Sequence, residues 1–280
     1  MTPTHRLAVV VPVKGGPLAK SRLALPEAMR RDLADAFARD TVAALRGGLP
    51  DAAVHVVSAH AEVRAWAVEA GCRVPADPGG GLDAAVAAGL GSAARAGSIT
   101  GLVVLGDHPA LTAAEAAASA GLPTGSLVAD ADGSGTALLV VDLTTGPPWR
   151  TAFGAGSARA HEELGYSPAR LAAPGLRTDV DDADSFASAL ALGVGQHTAA
   201  ALGRATLPGV QATIHEPVGE HPGSALLDDG RRVEVPLDAV VDSGLLHLRS
   251  GQRVHVELGD DGRVATRVWL SGIGPGETIR

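Results

Sequence analysis

The sequence predicts an α/β domain, with a mainly parallel sheet covered by helices on both faces, followed by a small all-β barrel. Three observations carry this reading. Apolar, β-branched runs alternate with helical-period segments through roughly the first two hundred residues. The chain is 46% hydrophobic but only 2% aromatic, so its core must be built from Ala, Val and Leu, which suits helices packed on a buried parallel sheet. From about residue 207 the texture changes to short alternating runs separated by DDG and SG turns. A length of 280 residues fits one large and one small domain, and the boundary is placed between 1–206 and 207–280.

Residues 7–13 form a continuous apolar run that reads as a buried strand, with Pro12 marking where its ladder must end. The loop KGGPLAKSRL follows. Across 26–45 apolar residues recur at helical spacing through Met29, Leu33, Phe37, Val42 and Leu45, and Gly47-Gly48 is a natural stop. Strands are expected over 54–57 and 101–105, with a helix over 62–70 closed by Gly71. Thr112, followed three residues later by Glu115, has the spacing of a capping box, so Leu105-Gly106-Asp107-His108-Pro109 joins a strand to a helix. Ligands of such sheets sit at the C-terminal ends of the strands, which places Asp107 at the functional edge. Strand-like runs recur over 126–128 and 137–141, and helices over 157–164 and 182–192. In the tail, strands are expected over 211–215, 225–227, 232–235, 245–248, 253–257 and 264–270, giving a barrel of about five strands.

Composition excludes several classes of function. The net charge is −8 and no basic run appears, so the electrostatic footprint of a nucleic-acid binder is missing and small-molecule partners are favoured. Cys72 is the only cysteine, which rules out an intramolecular disulfide and a cysteine-based zinc site. The apolar opening is too short for a signal peptide or a membrane span, and the protein is read as cytoplasmic. Of 23 basic residues 21 are Arg, and the two Lys, Lys14 and Lys20, share one loop.

That loop, VPVKGGPLAKSRL, combines glycines that let backbone N–H groups approach a ligand with the positive charge of Lys14, Lys20 and Arg22, a combination suited to phosphates. Its spacing is not that of a P-loop. Gly80 and Gly81, with Leu82 and Asp83, lead from a glycine run into a helix in a shape open to a base or ribose, or to a plain flexible loop. Asp107, Asp179 and Asp181 supply hard oxygen ligands of the kind Mg²⁺ requires, while Asp181 or Asp182 could equally cap the following helix. Thr136, Gly154 and Ser157 could hold a carboxylate or phosphate at a helix start, or Ser157 could simply cap it. His161 lies one turn after Ser157, and because no acidic spacing makes a triad with it, it is read as a surface histidine.

In order, VPVKGGPLAKSRL, GGGLDAAV, LGDHPALT, DADGSGTALL, FGAGSARAH and RTDVDD resemble the phosphoenolpyruvate or 2-phospho-L-lactate guanylyltransferase family of coenzyme F-420 biosynthesis, over residues 7–195. The resemblance implies a nucleotidyltransferase fold of the glycosyltransferase-A-like, Rossmann-like type, GTP as donor, Mg²⁺ as cofactor and a phosphorylated three-carbon acid as acceptor. By position it implies that Asp107, Asp179 and Asp181 hold metal, and that Thr136, Gly154 and Ser157 grip the acceptor carboxylate. It further implies that Lys14, Lys20 and Arg22 bind the triphosphate, with Asp107 acting in the transfer, and that Gly80, Gly81, Leu82 and Asp83 meet the guanosine. Two positions depart from the family pattern: Asp83 stands where Asn is usual, and His60 where an acidic residue is usual.

The tail resembles a cold-shock-like or related OB barrel, but HPGSALLDD occupies the place of the stacking aromatics, and the tail carries 11 acidic against 7 basic residues. A protein partner or homo-oligomer contact is expected of it ahead of RNA. At this level the acceptor stays open between phosphoenolpyruvate and 2-phospho-L-lactate. So do a related transferase acting on a molybdopterin or sugar phosphate, and a non-catalytic nucleotide- or RNA-binding protein.

Overall fold

The computed structural model describes residues 6–14, 20, 22, 23, 25, 27–205, 210–219, 221–241, 248–259 and 262–270. The chain divides into two compact units, Met1–Ala201 and Leu202–Arg280.

In the first unit the elements run β1 (Leu7–Pro12), α1 (Glu27–Gly48), β2 (Ala53–Val57), α2 (Ala61–Glu69), α3 (Leu82–Arg95), β3 (Thr100–Val104), α4 (Ala113–Ser119), β4 (Ser126–Ala129), β5 (Thr136–Asp142), α5 (Ser157–Glu163), β6 (Ser167–Pro168), α6 (Pro174–Arg177) and α7 (Ala183–Leu192), and α8 (Gln196–Ala205) begins in it and crosses the division at Ala201. The six strands form one sheet in the order β2-β1-β3-β5-β4-β6. β1 pairs in parallel with β2 and β3, and β4 with β6, whereas β5 is antiparallel to both β3 and β4. The sheet is thus mixed, with five strands pointing one way and β5 reversed. The register Val104↔Leu138 then sets the first residue of β5, Thr136, just past the C-terminal end of β3.

Period-two alternation divides the core between the two faces of this sheet. Val9, Val11, Val56, Leu102, Val104, Leu138 and Val140 pack with Val42 and Leu45 of α1 and Val63 and Trp66 of α2. Ala8, Val10, Val57, Val103, Leu139 and Val141 pack on the other side with Ala85, Val86, Leu90 and Ala93 of α3. Small side chains let the helices lie close. A methyl group on Gly89 of α3 would collide with Val10 Cγ1 and sit 3.2 Å from Val57 Cγ2. Helix ends are closed locally: Thr112 and Glu115 form the reciprocal capping box of α4, and Glu115 Oε1 also accepts from Gly175 N–H at 2.8 Å. The buried Asp40 carboxylate accepts from His197 N–H and Thr198 N–H at 2.9 and 2.8 Å, satisfying donors in the first turn of α8.

The second unit comprises β7 (Val210–Glu216), β8 (Gly223–Leu227), β9 (Arg232–Val235), α9 (Leu237–Val241), β10 (Arg253–Leu258) and β11 (Ala265–Leu270), an antiparallel sheet in the order β11-β10-β7-β8-β9. It curls until Glu234 of β9 meets Val264 in a parallel bridge, around a core that includes Ile214, Leu227, Val233, Val254, Val256 and Val268. The strand expected over 245–248 falls mostly outside the described residues, and Leu248 is buried without strand pairing. The short helix α9 has no counterpart in the sequence reading. Among the described residues no helix is long and apolar enough to cross a membrane.

Gly89→Ala tests the close approach of α3. The clash should cost about 2–3 kcal/mol and outweigh about 1 kcal/mol of gained helix propensity. Urea denaturation should therefore show a net loss of about 1–2 kcal/mol.

Candidate active site

The site lies at the C-terminal edge of the parallel strands, where three segments converge. Asp107 ends the short stretch after β3. The backbone N–H of Val180 donates to the Asp107 carbonyl at 3.0 Å, drawing the 179–181 segment against it. The beginning of α7 is fixed from the other side: Asp182 is its N-cap, and the N–H groups of Asp181 and Asp182 each donate to Ser185 Oγ at 3.0 Å. One carboxylate oxygen from each of Asp107, Asp179 and Asp181 consequently falls within 4.8 Å of the others.

Lys20 enters this cluster from the loop after β1. Its Nζ donates to Asp107 Oδ2 at 2.7 Å and to Asp181 Oδ1 at 3.1 Å, and its backbone takes a left-handed φ of 53°. Burial works against the ammonium, but the two carboxylates outweigh it and raise the Lys20 pKa above its ordinary value. Burial likewise disfavours the Asp107 carboxylate; the Lys20 charge, with a smaller contribution from His108, overcomes that and holds its pKa below the usual carboxylate value. Among the described residues no cation pairs with Asp179 in this way. Burial first, then the neighbouring charge of Asp107, pushes its pKa up to about 7.

These residues fit a divalent cation. Asp107 Oδ1 is buried with no hydrogen-bond partner among the described residues, Lys20 already places a positive charge between two of the carboxylates, and the donors are all hard oxygens.

Two cavities meet at Asp107. One of about 380 Å³ is lined by Lys14, Lys20, Arg22, Leu82, Asp107 and Asp181. A second of about 680 Å³ shares Arg22, Leu82, Asp107 and Asp181 and extends past Asp179 to Thr136, Gly154 and Ser157. The structure therefore places Lys14 and Lys20 on the first cavity, Thr136, Gly154 and Ser157 on the second, and Arg22 on both. Gly15 and Gly16 of the basic loop lie outside the described residues.

Gly80, Gly81 and Asp83 line neither cavity. Gly80 and Gly81 take φ of 89° and 98° and turn the chain into α3. Asp83 Oδ1 accepts from Thr151 Oγ1 at 2.7 Å and Phe153 N–H at 3.0 Å, tying the first turn of α3 to the segment that leads into Gly154. His60 is the N-cap of α2, without a side-chain capping bond.

At the other end of the larger cavity, Arg177 spans the start of the 130–135 loop, donating to the carbonyls of Ala129 and Asp130 at 2.9 and 2.7 Å. The Asp130 carboxylate closes the loop by accepting from Gly133 and Gly135 N–H. Gly156, not Ser157, is the N-cap of α5, and the Ser157 N–H donates to the Gly154 carbonyl at 3.1 Å.

The reading of His161 as a surface residue is overturned, because its side chain is fully buried. It hydrogen-bonds Thr136 Oγ1 through Nδ1 at 2.9 Å and accepts the Ala152 N–H at Nε2 at 3.0 Å. The signal was present in the sequence: Arg159, Glu162 and Glu163 mark the wet face of α5, which leaves Ser157, Ala158 and His161 on the dry one.

Burial, against smaller opposing effects of Asp83 and the Ser157 backbone, lowers the His161 pKa. Above the ordinary imidazole value of about 6.5 both folded and unfolded chains hold it neutral. As pH falls below that value the unfolded chain takes up a proton that the folded chain resists, and stability is lost. Urea midpoints at pH 7.5 and 5.5 should accordingly differ less in His161→Asn than in the unaltered protein.

The chain is 40% identical over 221 residues to the phosphoenolpyruvate guanylyltransferase of Geodermatophilus obscurus, covering 74% of this chain and 99% of that protein. It is 41% identical over 209 residues to the phosphoenolpyruvate guanylyltransferase of Streptomyces coelicolor, covering 72% and 98%, and 42% identical over 210 residues to that of Salinispora arenicola, covering 72% and 96%. Among solved structures, a nucleotidyl transferase from Methanothermobacter aligns with a TM-score of 0.45 at 19% identity, over 65% of this chain and 94% of that one. No family model matches the chain. With identity near 40% across almost the whole length of these relatives, the chain belongs to the phosphoenolpyruvate guanylyltransferase family.

Proposed function

We propose that the protein transfers GMP from GTP to phosphoenolpyruvate, releasing pyrophosphate and forming enolpyruvyl-diphospho-5'-guanosine for coenzyme F-420 biosynthesis. In a chain of this family, the observation that carries the reading is the convergence of Asp107, Asp179 and Asp181 where a cation-lined cavity meets a second cavity.

An oxygen of the acceptor phosphate forms a bond to the α-phosphorus of GTP, the bond from that phosphorus to the α–β bridging oxygen breaks, and pyrophosphate leaves with the electron pair. The acceptor phosphate is already anionic, so no general base is needed, and catalysis rests on positioning and charge neutralisation. Lys14, Lys20 and Arg22 bind the triphosphate. Gly80, Gly81, Leu82 and Asp83 border the guanosine, Leu82 by contact and Asp83 by fixing the segment that leads to Gly154. Thr136, Gly154 and Ser157 hold the acceptor carboxylate, so that its phosphate faces Asp107. Asp107, Asp179 and Asp181 would hold Mg²⁺, which when bound neutralises phosphate charge as a Lewis acid. In this reading Lys20 Nζ, which donates to Asp107 and Asp181 here, would donate instead to phosphate oxygens when nucleotide binds. The second unit is proposed to be an OB-type barrel serving a protein contact or self-association.

Pyrophosphate release with GTP, Mg²⁺ and phosphoenolpyruvate should be seen with purified protein, and should stop on chelation with EDTA. Release with 2-phospho-L-lactate alone would reassign the acceptor; silence with both, from folded protein, would overturn the reading. Asp107→Ala should reduce turnover at least about 10²-fold while the thermal transition stays cooperative. Retained turnover would remove Asp107 from the metal set.

A further inference from the structure

We propose that His161 is a positioning residue that fixes the Thr136 hydroxyl as a hydrogen-bond donor toward the acceptor's carboxylate. The inference rests on the reading above that Thr136 meets that carboxylate, and it follows from proton bookkeeping around one buried ring.

The backbone amide of Ala152 can only donate, and it points at His161 Nε2 from 3.0 Å. Nε2 therefore presents its lone pair, and the neutral ring must carry its proton on Nδ1. Nδ1 lies 2.9 Å from Thr136 Oγ1, so the ring donates and the hydroxyl oxygen accepts. One lone pair of Oγ1 is thereby occupied, and the hydroxyl's own hydrogen is excluded from the direction of the ring. Among the described residues Thr136 Oγ1 makes no other hydrogen bond, which leaves its O–H for a partner in the cavity that Thr136 lines. A carboxylate, which when ionised can only accept, is the complementary partner.

The surroundings hold the ring in this orientation. His161 is fully buried and lines neither cavity. Phe153 packs edge-on at 4.8 Å between centroids and Tyr166 at 5.6 Å. Burial also keeps the ring neutral. The same bookkeeping excludes the alternative of a His161 base activating a Thr136 nucleophile, because the nitrogen facing the hydroxyl already bears a proton. His161 thus acts on substrate only through Thr136.

The test has two arms. In protein labelled with ¹⁵N-histidine at pH 7.5, long-range proton–nitrogen correlation should show His161 as the Nδ1–H tautomer, its signal identified by its disappearance in His161→Asn. In steady-state kinetics, Thr136→Val and His161→Leu should each raise the KM for phosphoenolpyruvate about tenfold and move that for GTP less than about twofold. In the Thr136→Val background, His161→Leu should add almost nothing. His161→Asn, whose amide can still donate toward Thr136, should recover part of the loss; together with the spectrum of the unaltered protein it keeps the test alive if His161→Leu does not fold. An Nε2–H tautomer, or additive losses in the double variant, would overturn the proposal alone. An unchanged KM for phosphoenolpyruvate in Thr136→Val, with the unaltered enzyme active, would overturn it through the carboxylate reading beneath it.

Discussion

Three carboxylates drawn to one point at the edge of a sheet are the constraint around which the first unit is organised. At separations near 5 Å and an effective dielectric constant near 20, each ionised pair repels by roughly 3 kcal/mol. Such a cluster does not assemble unless other interactions hold it. Here the Val180 N–H bond to the Asp107 carbonyl fixes the approach of the two segments, and the Asp182–Ser185 capping box anchors the far side of the acidic turn. Lys20 then relieves two members of the cluster by ion pairing. The third, Asp179, is left with burial and the Asp107 charge opposing its ionisation, and its pKa rises to about 7. The cluster is thus held electrostatically incomplete, the state in which a further cation has most to gain.

The reversed strand β5 makes the second half of the site possible. A parallel strand in that position would have presented its C-terminal end at this edge. Running the other way, β5 delivers its first residue, Thr136, beside the stretch that carries Asp107. The turn formers of the 130–135 loop follow from this reversal, because the chain must come back within a few residues of β4. The Asp130 carboxylate and the Arg177 guanidinium supply the hydrogen bonds that so short a return leaves unmade. α5 then packs His161 behind Thr136, so the strand and the helix meet at one buried hydrogen bond.

Much of this was legible in the sequence because it depends on local signals. The buried run of β1, the helical spacing of α1, the Thr112–Glu115 cap and the acidic segment before α7 each carry their own periodicity or spacing. The reversal of β5 was not legible. Direction is a property of pairing, and a run such as TALLVVD reads the same whichever way it lies. Asp83 was read for its sequence neighbours, whereas its partners Thr151 and Phe153 are about seventy residues away, beyond any spacing rule. His161 was misread because a triad was sought around it and none was found. The amphipathic pattern of α5, weighed first, already put the residue inside. The tail's alternation was clear, but alternation does not announce a five-residue helix such as α9.

Several departures from ordinary folding chemistry gather at this one edge. Lys20 has a left-handed backbone without being glycine, Asp107 has a buried oxygen with no hydrogen-bond partner among the described residues, and the Asp179 pKa is pushed up to about 7. Each is unfavourable for folding, and together they are tolerable because the sheet beneath is apolar on both faces and closely packed, down to the missing side chain at Gly89. The same argument explains why the site sits on the short segments just beyond the strands. At the position of Val104, the last residue of β3, an unpaired carboxylate would stand among fully buried apolar neighbours. Just past the strand end it keeps the rigidity of the sheet while the opposing charges can still enter from loops.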